Sequence, residues 1–216
     1  MRDGFIRVAA LTPAVRVADV EHNVAACAEA VRSVTSAQVI ALPELAITSY
    51  TCEDLFWQDA LLRAAEEGLA RFAELTADVD ALVFVGVPVR VASKLYNCAA
   101  VLCSGELLGL VPKRNIPTYG EFYEGRRFSA GPEDVTLVSF AGYGEVPFGS
   151  SQLFECDTVP GLIVAAEICE DLWVPNPPST AAALAGATLV VNLSASNELV
   201  GKADYRRGLV SSTSAR

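Results

Sequence analysis

Gly161-Leu162-Ile163-Val164-Ala165-Ala166-Glu167-Ile168-Cys169-Glu170-Asp171-Leu172-Trp173 changes character at one residue. Up to Ile168 it is a short, nearly continuous apolar run, the pattern of a strand covered on both faces. From Cys169 it becomes a polar turn. Two other apolar runs end the same way. Gln38-Val39-Ile40-Ala41-Leu42 stops at Pro43-Glu44, and residues 107–111 lead through Pro112 into Lys113. In α/β sheets, functional sites gather at the carboxyl ends of strands, where the loops diverge. Three strand ends that carry a thiol, a carboxylate and an ammonium are less expected by chance than any one of them.

Working outward, residues 5–11 read as a strand closed by Thr12-Pro13. Residues 19–35 read as an amphipathic helix, because Val20, Val24, Cys27, Val31 and Val34 recur at steps of three or four. Residues 55–76 read as a second long helix, and residues 81–89 as a buried strand. Residues 96–103 and 106–111 form a hairpin around Ser104-Gly105. The Gly-, Pro- and aromatic-rich stretch 113–149 reads mainly as loops, with a strand at 135–140. A further strand is expected at 152–155. A short helix starts at Asn176-Pro177-Pro178-Ser179 and stops at Gly186. A strand at 188–193 and a helix at 202–215 complete an α/β layered domain with no repeat, low-complexity segment or linker.

Composition narrows the function classes. Of 216 residues, 52% are hydrophobic and 19% charged, enough apolar material for a sizeable core. The formal net charge of −10 disfavours nucleic acid as a partner, since phosphates would be repelled. No uninterrupted apolar stretch reaches membrane-spanning length, and residues 1–6 are too short an apolar start for a signal peptide. The six cysteines match no zinc-ligand spacing and, in a chain of this size, read as reduced cytosolic thiols.

Cys169 is the candidate nucleophile, since an ionised thiol is the strongest side-chain nucleophile available. A cysteine taken alone is more often structural, but Glu167, Glu170 and Asp171 are poor neighbours for an inert buried thiol. The backbone N–H of Glu170 is placed to join an oxyanion hole. His22 is the only histidine, and it lies on the polar side of its helix. If Cys169 is catalytic, another base is needed; a carboxylate is the obvious one, and Glu44, flanked by Pro43 and Leu45, is the candidate. Its burial would raise its proton affinity. Taken alone, Glu44 reads equally well as a turn carboxylate, and Lys113 reads better as a surface lysine in a basic turn with Arg114. Together they supply a base and a positive charge for a thiolate or an oxyanion.

These three residues, in this order, resemble the Glu–Lys–Cys triad of the carbon–nitrogen hydrolase (nitrilase) superfamily. Four extended segments are similar to the glutaminase domain of glutamine-dependent NAD+ synthetase. They are Leu42-Pro43-Glu44-Leu45 with Thr48-Ser49-Tyr50-Thr51-Cys52-Glu53-Asp54-Leu55-Phe56, residues 113–124, residues 167–173, and Asn192-Leu193-Ser194-Ala195-Ser196. The resemblance implies a nitrilase-like α-β-β-α four-layer sandwich over residues 1–216, incomplete at its C-terminal end. It implies catalytic roles for Glu44, Lys113 and Cys169, with Glu124 buttressing the lysine. It implies substrate contacts at Tyr119, Ser196, Tyr50, Trp173 and Glu170, and at Lys202, which stands where the family has an arginine. L-glutamine would be the substrate, and ammonia would pass to a synthetase domain that this chain lacks. ATP and magnesium would belong to that domain; no metal or organic cofactor is expected in this chain. The family forms homo-oligomers. A free-standing amidase or nitrilase, and a catalytically silent assembly module, are the alternatives.

Overall fold

The computed structural model describes residues 5–34, 36–140 and 142–215. The opening residues 1–4 and the expected end of the first helix at Thr35 lie outside them. The chain opens with two parallel βαβ steps: β1 (Val8–Ala10), α1 (Val20–Arg32), β2 (Val39–Ala41), α2 (Asp59–Leu75) and β3 (Leu82–Val91). Asp19 caps α1 by accepting the His22 N–H at 3.2 Å. Val20, Val24, Cys27 and Val31 form its buried stripe, as their spacing predicts.

The second helix departs from expectation at its start. Residues 50–57 form a 3₁₀ turn broken at Glu53, whose φ is 49°, and the α-helix begins only at Asp59. Side-chain ties explain the interruption. Tyr50 binds Glu124, while Glu53 and Asp54 pair with Arg127 and Arg126. These contacts hold a shape that local helix propensity does not encode.

β3 continues into antiparallel β4 (Lys94–Cys103) and β5 (Glu106–Pro112). The expected turn at Ser104-Gly105 is present, with φ of 49° and 83°. The β3–β4 turn at Ala92-Ser93 lacks the usual glycine or asparagine, so the sequence shows only two apolar runs there. β6 (Thr136–Phe140) was expected, but β7 (Gly144–Phe148), read as loop, is a correction. Pro147 argues against a strand in sequence terms. The segment is nonetheless paired along its length with β6, and to β5 through Leu110 and Phe148 alone. The first sheet therefore has seven strands, in the order β1-β2-β3-β4-β5-β7-β6.

The second sheet has three strands: β8 (Phe154–Glu155), β9 (Ile163–Ile168) and β10 (Leu189–Leu193), in the order β10-β9-β8. Val39, Phe84, Val101 and Val111 from the first sheet pack with Val164, Ile168 and Leu193 from the second. The opposite face of the first sheet shares a core with α1 and α2. α3 (Pro178–Leu184) lies against β9, and α4 (Lys202–Ser214) buries no side chain. The layering is α-β-β-α, with a thin final layer. No helix among the described residues is long and apolar enough to cross a membrane.

One close approach shapes the site. Beyond β2, the strap Pro43–Leu45 crosses β3 at Gly86. A Cβ added there would lie 2.1 Å from the Leu45 nitrogen and 2.5 Å from the Pro43 oxygen. The Gly86 N–H donates to the Pro43 carbonyl at 3.2 Å. Gly86→Ala is therefore expected to cost roughly 3 kcal/mol, because the atoms it meets are backbone and cannot swing aside. Urea denaturation checks this; an unchanged midpoint would contradict it.

Candidate active site

Each of the three strand ends delivers its side chain to one place. Glu44 follows β2, Lys113 follows β5, and Cys169 follows β9, so the site draws on both sheets. β2, β3 and β5 run in the same direction, which brings Glu44 and Lys113 to one edge of the larger sheet. Cys169 opens a 3₁₀ turn with a φ of 45°, a left-handed conformation uncommon for a residue with a side chain. Leu45, next to Glu44, has a φ of 52°.

Lys113 is completely buried. Its Nζ donates to Glu44 Oε1 at 2.7 Å and to Glu124 Oε1 at 2.6 Å. Glu44 and Glu124 are only 2% and 4% exposed. Asn97, on β4, was missed by the sequence reading. Its Nδ2 donates to Glu44 Oε1 at 2.7 Å and to Glu124 Oε2 at 3.4 Å. The available signal was an amide inside the apolar run 95–103, where burial would oblige it to find partners. The Tyr50 hydroxyl donates to Glu124 Oε1 at 2.8 Å, so Tyr50 is a deep support of the cluster. The Ala195 N–H, just past β10, donates to Glu44 Oε2 at 3.0 Å.

The charges decide the resting state. Burial raises the pKa of Glu44; Lys113 opposes that shift and the charge of Glu124 adds to it. Burial works against the Lys113 charge, but Glu44 and Glu124 outweigh it and hold the ammonium above its usual range. The Cys169 thiol, 6% exposed, is pushed up to about 12 by burial and then by the charge of Glu44, with Lys113 opposing. Burial, with two carboxylates facing one ammonium, thus leaves a neutral thiol beside a carboxylate of raised proton affinity.

The remaining predicted residues form a rim. The Tyr119 hydroxyl donates to the Glu170 carboxylate at 3.0 and 2.8 Å, and burial and Glu170 raise its pKa to about 12. Lys202 Nζ donates to Asn197 Oδ1 and lies 5.1 Å from the Trp173 ring centroid. Trp173 stacks on Tyr205 with centroids 5.6 Å apart. Arg206, not anticipated, donates to Ser196 Oγ at 3.4 Å and to the Asn197 carbonyl at 3.1 Å. Below the rim, Glu167 faces away from the inter-sheet core, where it accepts the Ser179 N–H at 3.1 Å and Asn192 Nδ2 at 3.2 Å. His22 sits apart from the site, its Nε2 3.1 Å from the Ala14 carbonyl. Among the described residues, no group of three His, Cys, Asp or Glu side chains could hold a metal ion.

A cysteine beside a buried carboxylate–ammonium pair, on a sandwich of this layering, is the equipment of a thiol hydrolase. Residues 7–215 match the family model described as carbon-nitrogen hydrolase, and the chain belongs to that family. It is 41% identical over 215 residues to the glutamine-dependent NAD(+) synthetase of Mycobacterium tuberculosis, covering 99% of this chain and 32% of that protein. The chain thus spans about a third of the length of the curated relatives it matches. The crystal structure of a glutamine-dependent NAD(+) synthetase from Cytophaga hutchinsonii superposes with a TM-score of 0.80 at 32% identity, covering 95% of this chain and 33% of that one. A nitrilase-superfamily amidase from Nesterenkonia, at 19% identity, shares the fold with a TM-score of 0.74, covering 99% of this chain and 73% of that one.

A thiol held near 12 has a thiolate fraction that grows with pH throughout the neutral range. Alkylation of Cys169 by iodoacetamide is therefore expected to rise about tenfold per unit from pH 7 to 9. Mass spectrometry resolves the site. A rate that stays flat over that range would reveal a standing thiolate instead.

Proposed function

We propose that this chain hydrolyses the side-chain amide of L-glutamine through a thioester on Cys169 and releases ammonia. The carrying observation is the fully buried Lys113 ammonium, 2.7 Å from Glu44, in the pocket that also holds the Cys169 thiol. The choice of glutamine is supported by the 41% identity, along nearly the whole chain, to relatives named for glutamine dependence.

The steps follow from the resting state. Cys169 sulfur attacks the amide carbon as its proton passes to Glu44, whose raised pKa makes it a competent acceptor. The developing oxyanion is held by Lys113 and by the backbone N–H of Glu170. Glu44 then gives the proton to the amide nitrogen, the C–N bond breaks, and ammonia leaves a thioester. Water, losing a proton to Glu44, attacks the thioester carbon; glutamate departs and the thiol is restored. The single difficult hydrolysis is thereby split into two lower barriers. Because the thiol rests protonated, its proton must pass to Glu44 for the sulfur to attack.

At the rim, Lys202 receives the substrate carboxylate as a single ammonium, with Ser196 and Tyr119 alongside. An ammonium lacks the bidentate grip of a guanidinium, so discrimination rests more on the surrounding groups. Trp173 walls the entrance, Glu170 anchors Tyr119, and Tyr50 steadies Glu124. In the longer protein, the ammonia amidates nicotinic acid adenine dinucleotide in a synthetase domain that uses ATP and magnesium. The chain itself uses no metal or organic cofactor, and the assembly is a cytosolic homo-oligomer.

Cys169→Ala is expected to abolish ammonia release from glutamine while leaving the circular dichroism spectrum intact; undiminished release would rule the mechanism out. Glu44→Gln should slow thioester formation and breakdown by at least about 100-fold each in single-turnover measurements. Across a panel of amides, glutamine should be preferred over acetamide and other simple aliphatic amides. The reverse order would point to a free-standing amidase, and no turnover of any amide to a silent module.

A further inference from the structure

Cys169 and Lys113 arrive on different sheets, and the two sheets touch through apolar side chains such as Val111, Ile168 and Leu193. Close apolar packing holds the two sheets together, but placing two reactive atoms at their shared edge to sub-ångström precision asks for directional contacts as well. Attack on a bound amide needs the sulfur and the ammonium placed to a fraction of an ångström. Something directional must tie the two strand ends together.

The Asp171 carboxylate makes that tie. Its Oδ2 accepts the N–H of Ile168, the residue before the nucleophile, at 3.0 Å. Its Oδ1 accepts the Asn115 N–H at 2.7 Å and Asn115 Nδ2 at 2.8 Å. The Arg114 N–H, immediately after Lys113, lies 3.2 and 3.4 Å from the two oxygens. One side chain thus joins the backbone on one side of Cys169 to the backbone on the far side of Lys113. Asp171 is 1% exposed, and the neighbouring Arg114 guanidinium goes to Glu133 and Ser150 instead. A buried carboxylate satisfied entirely by N–H donors is directional at every contact.

We propose that Asp171 is the positioning residue that fixes the Cys169 sulfur relative to the Lys113 ammonium, and that this register, more than substrate affinity, depends on it. The inference rests on Cys169 acting as nucleophile, and its test must separate the two ideas. Asp171→Asn is nearly isosteric, but it turns one acceptor oxygen into an NH₂ group facing N–H donors. In the folded variant, kcat for glutamine should fall about 100-fold with KM within about twofold, since a misplacement of about an ångström costs that much. A second readout needs no knowledge of the substrate. Site-resolved alkylation by chloroacetamide should slow at least about fivefold at Cys169, where Lys113 favours the thiolate, and stay unchanged at Cys156. Asn115→Ala removes one donor and leaves the backbone tie, so its losses should be about threefold in both readouts.

If wild-type protein releases no ammonia from glutamine, the substrate reading fails while the alkylation comparison still decides the role of Asp171. A folded Asp171→Asn protein with kcat and Cys169 alkylation within twofold of wild type would overturn the proposal. So would a rise in KM with kcat unchanged. Should Asp171→Asn fail to fold, Asn115→Ala decides: partial loss at constant KM supports the tie, and wild-type values in both readouts overturn it.

Discussion

An ammonium with no solvent contact persists only where carboxylates compensate for its lost hydration, and Lys113 has two within 2.7 Å. The rest of the site is arranged around that requirement. Glu44 comes from one strand end, Glu124 from a 3₁₀ turn, and Asn97 bridges the two carboxylates from β4. Removing either carboxylate would leave a buried charge poorly paired, and removing the lysine would leave two carboxylates in contact. The cluster is therefore all-or-none: the interactions that stabilise it also set the protonation states that the chemistry uses. Burial first, and then the unequal count of two negative groups to one positive, raises the proton affinity of Glu44 and of the Cys169 thiol.

The two-sheet architecture explains how distant parts of the chain meet. Each sheet buries one face against the other, and the loops at the strand ends overhang the shared edge. The apolar interface brings the sheets together, while polar ties at the edge determine how they register. Gly86 plays the corresponding part within the first sheet, since its missing side chain lets the Pro43–Leu45 strap lie directly on β3 and aim Glu44 inward. Packing sets proximity, and short polar or steric constraints set aim.

The legibility of this protein in its sequence follows the same division. Features set by local pattern were readable. The periodic apolar stripe of α1, the apolar runs of β2, β5 and β9, and the polar residue at each strand end are each set by neighbours a few positions away in the chain. Glu124 was placed by resemblance, since a glutamate in a Gly- and aromatic-rich loop carries no local mark. Features set by distant partners were not readable. The break before α2 depends on Tyr50 reaching Glu124, and β7 depends on a partner strand that outweighs Pro147. Asn97 stands out only as a polar residue in an apolar strand, with nothing to say which carboxylates it meets. Gly86 matters through a strap about forty residues away, and no periodicity reports such a crossing.

The last helix has a consequence of its own. α4 buries none of its side chains, yet Lys202, Tyr205 and Arg206 on it supply the contacts to Asn197, Trp173 and Ser196. A helix held by polar and stacking contacts has a local opening free energy well below that of the core beneath it. If the rim takes substrate as proposed, docking of α4 and occupancy of the rim are linked equilibria, because a ligand against Lys202 and Ser196 would also hold the helix down. Amide hydrogen exchange in residues 202–214 would then gauge site occupancy, read some distance from the sulfur itself.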